Sequence, residues 1–90
     1  MLVKFEPIRL SAHDGGEEAC LVLANDHLVA ILVRLVGDEG EPAQDGWFLE
    51  TGYDPCDRQG LIFSSLNAVE NWLRTQIPER WAEATATRRV

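Results

Sequence analysis

The sequence predicts an α+β fold, an antiparallel three- to four-stranded meander with one C-terminal amphipathic helix packed on one face. Apolar runs of strand length, separated by turn residues, fill most of the chain up to residue 63. An apolar period of three to four residues then follows, and strands succeeded by a helix are typical of this class. Because the chain has only 90 residues, we expect a single domain over residues 1–90.

Each expected strand is bounded by residues that favour turns. We expect the strands at residues 2–10, 17–24, 28–36 and 47–53. We expect the connecting loops at residues 11–16, 37–46 and 54–60, where glycine, proline and acidic residues accumulate. Pro7 requires an edge position or a bend, since proline cannot donate to a neighbouring strand. Residues 61–63 are either a short strand or a tether to the helix.

The amphipathic helix is expected over residues 65–77. Ser64 or Ser65 can cap it, because a serine oxygen accepts an unpaired backbone N–H in the first turn. Its apolar face is formed by Leu66, Val69, Leu73 and Ile77. Pro78 either ends the helix or begins another turn, in which case residues 79–86 form a short second helix carrying Trp81. We expect residues 87–90 to be frayed.

The hairpin over residues 19–36 is the most unusual segment, because it is apolar almost throughout. Asn25 and Asp26 interrupt it, and both tolerate the left-handed conformation that a two-residue hairpin turn demands. Counting outward from this turn gives a regular register that ends with Glu17 opposite Arg34. Opposite charges at that position support the register.

This register divides the hairpin into two apolar faces, because alternate side chains of a strand point to opposite sides of the sheet. The face expected under the helix carries Cys20, Val22, Val29, Ile31, Val33 and Leu35. The other, the leucine face, carries Ala19, Leu21, Leu23, Leu28, Ala30, Leu32 and Val36, with Glu17 and Arg34 at its end. An antiparallel sheet commonly needs only one apolar face, so the leucine face requires a second cover.

A leucine-rich centre with a charged rim is typical of a protein interface. Burying one leucine contributes about 1.5–3 kcal/mol, and association costs about 4–15 kcal/mol, so burial of this face on two copies favours a homodimer. We predict an interface formed by Leu21, Leu23, Leu28, Leu32 and Arg34. The alternative is that the N-terminal strand or the segment around Trp81 covers this face within the same chain.

The charge of the chain restricts its partners. Fifteen acidic residues against eight lysines and arginines give a net charge of −7, which disfavours nucleic acids and anionic membranes. The acids cluster in two loops, where they are either solvated or a docking surface for a basic protein. With no secretory signal and no apolar run of about 20 residues, we expect a cytoplasmic location.

Cys56 is the one candidate nucleophile. Its neighbours Asp54 and Asp57 should raise the pKa of its thiol, and no Cys–His pattern accompanies it. His13 and His27 are expected to be turn residues, and no ligand spacing predicts a metal or a cofactor. We therefore assign no catalytic residue.

Together these features predict a small acidic cytoplasmic interaction or regulatory module without catalysis, which self-associates through the leucine face. Two alternatives remain open. One is a small-molecule-binding protein that uses a cleft near residues 53–60. The other is a thiol-dependent enzyme that uses Cys56.

Overall fold

The computed structural model describes residues 1–11, 17–35 and 46–86, which form a five-stranded antiparallel sheet and two C-terminal helices. The strands pair in chain order: β1 (Val3–Leu10), β2 (Glu17–Ala24), β3 (His27–Leu35), β4 (Gly46–Gly52) and β5 (Ile62–Phe63). The helices are α1 (Leu66–Gln76) and α2 (Glu79–Ala86). The α+β class and the antiparallel meander are confirmed, but the fifth strand and the second helix exceed the expected three to four strands and one helix.

Both additional elements are short. β5 has two residues, Ile62 and Phe63, which pair with Phe48 and Trp47 of β4. A strand of this length has too few residues to show an alternating pattern, so pairing with β4 alone defines it. In α2, the N–H of Ala82 donates to the carbonyl of Pro78 at 3.0 Å, so Pro78 begins a new helix.

The expected cap and the expected turn are both present. The Ser65 hydroxyl accepts the N–H of Ala68 at 3.1 Å, which satisfies one of the unpaired donors at the start of α1. Asn25 and Asp26 have φ angles of 51° and 68°, so they form the two-residue turn between β2 and β3.

Beyond the Leu23–Leu28 pair, the register of the hairpin shifts by one residue. Leu23 pairs with Leu28 as expected, but Val22 then pairs with Ala30, which leaves Val29 as an extra residue in β3. The expected pairing of Val22 with Val29 is therefore wrong. Because side chains alternate along a strand, one extra residue moves all later residues of β3 to the opposite side of the sheet.

The core lies between the sheet and the helices, on the side that we call the inner face. Its buried residues from the sheet are Cys20, Val22, Ala24, Val29, Ala30, Leu32, Leu49 and Phe63, and those from the helical region are Val69, Leu73 and Ile77. Ile31 and Val33, which we expected under the helix, are not part of this cluster. Several expected features lie largely or wholly outside the described residues. They are the loops at 11–16 and 37–46, Val36, and the end at 87–90 that we expect to fray.

Candidate functional site

An apolar row crosses all five strands on the side of the sheet opposite the helices, which we call the outer face. Consecutive register partners form this row: Ile8, Ala19, Val33, Phe48 and Ile62. A second row, also set by the register, runs through Glu6, Leu21, Ile31 and Thr51. A third row contains Lys4, Leu23 and Leu28. The outer face is therefore apolar at its centre and polar at its margins.

The two helices do not account for the burial of this face. Both α1 and α2 contribute residues to the inner cluster, and no residue of the apolar row belongs to that cluster. Ala19 and Val33 at the centre of the row are buried, Ile8 and Phe48 are half-buried, and Ile62 at the edge is 67% exposed. Leu28, in the third row, is 39% exposed. Large apolar side chains thus reach the surface along this face.

Three of the five predicted interface residues lie on the outer face, namely Leu21, Leu23 and Leu28. Leu32 does not, because the shift in β3 turns it toward α1, where it is 0% exposed beside Leu49. Its expected position on an exposed leucine face is wrong.

Arg34 is also displaced by the shift. It shares the inner side with Leu32, two residues earlier in β3, and its guanidinium lies 5.4 Å from the ring centroid of Trp47. A guanidinium nitrogen of Arg34 lies 3.9 Å from a carboxylate oxygen of Glu18. The regular register that we expected near Arg34 is wrong, because Ala19 pairs with Val33 and not with Leu32.

Sequence reasoning missed several outer-face residues. Ile31 and Val33 were assigned to the wrong face because of the extra residue in β3. Phe48 and Ile62 join the face through pairing between distant strands. The alternation of Phe48 with Trp47 is an available signal for Phe48, but it does not specify which strands become neighbours, and β5 is too short to give such a signal for Ile62.

Neither expected cover from the same chain lies on the outer face. β1 pairs edge to edge with β2, so the N-terminal strand extends the sheet. Trp81 packs against the inner cluster, and its ring meets that of His27 edge-on, with centroids 5.6 Å apart. Both proposals for a cover by these segments are therefore wrong.

Cys56, the candidate nucleophile, is sealed inside the protein at 0% exposure. Burial, followed by the negative charges of Asp57 and Asp54, raises the pKa of its thiol from the ordinary value of 9.0 to about 11. A nucleophilic cysteine needs an accessible thiolate, and both burial and pKa oppose one here. The geometry therefore argues against thiol catalysis at neutral pH.

The loop that carries Cys56 folds tightly against the end of β4. The N–H of Gly60 donates to the carbonyl of Leu49 at 2.9 Å, and the N–H of Tyr53 donates to that of Val29 at 2.9 Å. A Cβ atom at Gly52 would collide with the carbonyl oxygen of Cys56. The backbone of Cys56 thus lies directly against Gly52 at the end of β4.

One of the two histidines, His27, lies in the described part of the chain. His27 lies against Trp81, and His13 lies outside the described residues. Across residues 1–11, 17–35 and 46–86, no three side chains of His, Cys, Asp or Glu converge closely enough to hold a metal ion.

Searches of protein-family models, of curated proteins and of solved structures find no match to this chain. In the described parts of the chain, no helix has the length and apolar character needed to cross a membrane. The outer face is therefore the feature from which a function is inferred.

Proposed function

We propose that this protein is a small non-catalytic interaction module that forms a homodimer through the outer face of its sheet. One observation carries the proposal: an apolar row spans all five strands on the side away from both helices. Apolar surface of this kind is stabilised when a second surface removes it from water. The sealed thiol of Cys56 supports the absence of thiol catalysis.

The outer face approaches the size of one side of a small protein interface. The sheet has five strands spaced about 4.8 Å apart, and a strand of eight residues is about 27 Å long. The projected area of the outer face is therefore about 600 Å². The largest apolar patches on monomers reach about 300–600 Å², and a standard interface buries about 800 Å² on each partner. Two such sheets can stack about 10 Å apart, as the layers of a β-sandwich do.

A second copy fits this face better than a highly charged partner. The centre of the face is apolar, and its β1 margin carries one base and one acid, Lys4 and Glu6. Charges of both signs at this margin, where Lys4 also lies 3.4 Å from Asp26, can pair across a twofold contact between two copies. A basic protein would instead be attracted to acidic residues outside the apolar centre.

We also propose a cytoplasmic location. Its support is the state of the two cysteines: Cys20 and Cys56 are both buried and free. Free thiols are the normal state in a reducing compartment, whereas small secreted domains usually rely on disulfides.

Sedimentation velocity over a range of micromolar concentrations tests the dimer. Ile62→Glu and Leu28→Glu place a charge on the outer face at positions that are already partly exposed, so the monomer loses little. Asn71→Glu is the matched control, because it adds the same charge at an exposed position of α1. We expect the wild type and the control to sediment as dimers and both outer-face variants to sediment as monomers.

Two results would overturn the proposal. One is a wild-type protein that remains a monomer at high micromolar concentration, which would mean that the outer face is covered within the chain or bound by a different molecule. The other is a dimer whose dissociation constant is the same in the outer-face variants and in the control, which would place the dimer contact elsewhere.

A further inference from the structure

The two helices are attached to the protein in different ways. α1 and the residue that follows it contribute Val69, Leu73 and Ile77 to the buried core. α2 contributes no buried residue, and its Trp81 and Ala82 are only partly buried where they pack against the core. Because apolar burial is the main source of stability, α1 should be held far more strongly than α2.

The turn between β2 and β3 binds α2 through specific side-chain contacts. The side-chain nitrogen of Asn25 donates to the carbonyl of Ala82 at 3.0 Å and to the hydroxyl of Thr85 at 2.7 Å. The amide oxygen of the same Asn25 accepts the N–H of Leu2 at 2.9 Å. Trp81 adds its edge-on ring contact with His27. One turn residue thus ties α2 to the start of the sheet.

The junction between the helices allows α2 to move by itself. Ile77 is buried and extended, and its N–H donates to the carbonyl of Leu73 at 2.9 Å, so α1 is closed by its own bond. Pro78 has no N–H to continue that pattern. The first hydrogen bond of α2, from Ala82 to Pro78, lies beyond the junction. Opening of α2 therefore breaks no backbone hydrogen bond of α1.

We propose that α2 is a detachable latch, which leaves the hairpin turn while the sheet and α1 stay folded. Among other contacts, its release breaks the two hydrogen bonds from Asn25 and the ring contact with His27. It also removes the partial packing of Trp81 and Ala82 on the core, but no fully buried side chain. Segments with few buried contacts open at a lower free energy than the whole protein does. The latch lies on the inner side of the sheet, so it does not depend on dimerisation through the outer face.

Native-state hydrogen exchange tests the latch with two matched amides. The N–H of Ile77 and the N–H of Ala82 make backbone hydrogen bonds of 2.9 and 3.0 Å to the carbonyl four residues earlier. After correction for intrinsic exchange rates, we expect the N–H of Ala82 to exchange at least about 10-fold faster than the N–H of Ile77. Low denaturant concentrations should not accelerate exchange at Ala82, because a local opening exposes little new surface. Ile77 should exchange only when the core opens.

Asn25→Asp isolates the contacts of the latch. Aspartate retains the tolerance for a positive φ and the oxygen that accepts from Leu2, but it cannot donate to α2. We expect exchange at Ala82 to accelerate about 30-fold, which corresponds to the loss of two ordinary hydrogen bonds, with no change at Ile77. Asn71→Asp, the same chemical change at an exposed position of α1, should leave Ala82 unchanged.

A second variant guards against an effect on the turn itself. Thr85→Val retains the shape of the side chain and removes the hydroxyl that accepts from Asn25, while the turn residues stay intact. It should also accelerate exchange at Ala82 alone. Equal exchange of Ala82 and Ile77 in the wild type, or equal acceleration of both amides in Asn25→Asp and Thr85→Val, would show that α2 opens only with the whole protein and would overturn the proposal.

Discussion

Two neighbouring residues of β3, Ile31 and Leu32, show how differently the two faces of one apolar sheet are used. Leu32 lies on the inner face and is fully buried beneath α1. Ile31 lies on the outer face and is half-buried. Both residues are large and aliphatic, so composition does not distinguish them. The single extra residue at Val29 does, because it sets which of the two points toward the helices.

The largest expected effect comes from truncating these two residues in turn. Leu32→Ala should lower the free energy of unfolding by about 2–5 kcal/mol, because it leaves a cavity in the core. Ile31→Ala should lower the free energy of unfolding of the monomer by only about 1 kcal/mol, because the side chain is half-buried. Urea unfolding at a concentration where the protein is monomeric measures both values.

The effects of these two substitutions on the dissociation constant of the dimer should have the opposite order. Ile31→Ala removes contact area from the outer face, whereas Leu32→Ala does not, so Ile31→Ala should raise the dissociation constant of the dimer more. A larger loss of stability in Ile31→Ala than in Leu32→Ala would contradict the shifted register, since a regular register gives Ile31 the core position.

Much of the fold follows from local patterns in the sequence. The turn at Asn25 and Asp26, the cap at Ser65 and the apolar face of α1 are set by residues close together in the chain. The extra residue in β3 is different, because Val29 and Ala30 are both apolar and either can face the core. Only packing against α1 and β4 selects one of them, and packing between distant elements is not visible in a local pattern.

The candidate site was also predictable only where local patterns determine it. Leu23 and Leu28 lie between the turn and the shift, so counting from the turn assigned them to the correct face. Leu32 and Arg34 lie beyond the shift, and the same count assigned them wrongly. Ile62 depends on the pairing of β5 with β4, which the sequence does not specify.

Cys56 is fully buried, and the stability of the protein at alkaline pH tests this burial. In the unfolded chain the thiol loses its proton near pH 9, whereas in the folded protein its pKa is about 11. Between these values the unfolded state binds fewer protons, so stability falls as pH rises, by up to about 1.4 kcal/mol for each pH unit. Below pH 9 the thiol is neutral in both states and contributes no pH dependence.

Cys56→Ala provides the comparison for this effect. Urea unfolding of both proteins at several pH values from 8 to 11 should give curves that are parallel up to about pH 9 and then diverge, with the wild type losing more stability. Other titrating groups, including Cys20, are common to both proteins and cancel in the difference. Curves that remain parallel to pH 11 would show that Cys56 is accessible to solvent, contrary to a sealed inner side.

The smallest expected effects concern one ion pair on each face. Lys4, at the margin of the outer face, lies 3.4 Å from Asp26, and both side chains are largely exposed. Arg34, on the inner side, contacts both Glu18 and the ring of Trp47. Exposed pairs contribute about 0–1 kcal/mol, and a cation above an aromatic ring adds about 0.5–1 kcal/mol. The inner pair should therefore matter more than the outer pair.

Lys4→Gln and Arg34→Gln compare the two pairs directly, with unfolding measured at low and high salt. We expect Lys4→Gln to cost less than about 0.5 kcal/mol and the cost to vanish at high salt, because solvent and ions screen an exposed pair. Arg34→Gln should cost about 1 kcal/mol and retain part of that cost at high salt, since its contact with Trp47 also buries apolar area. If Lys4→Gln proves the more damaging in the monomer, the charged margin of the outer face contributes more to folding than its exposure implies. The distinction between a packed inner face and a solvent-facing outer face would then fail at that edge of the sheet.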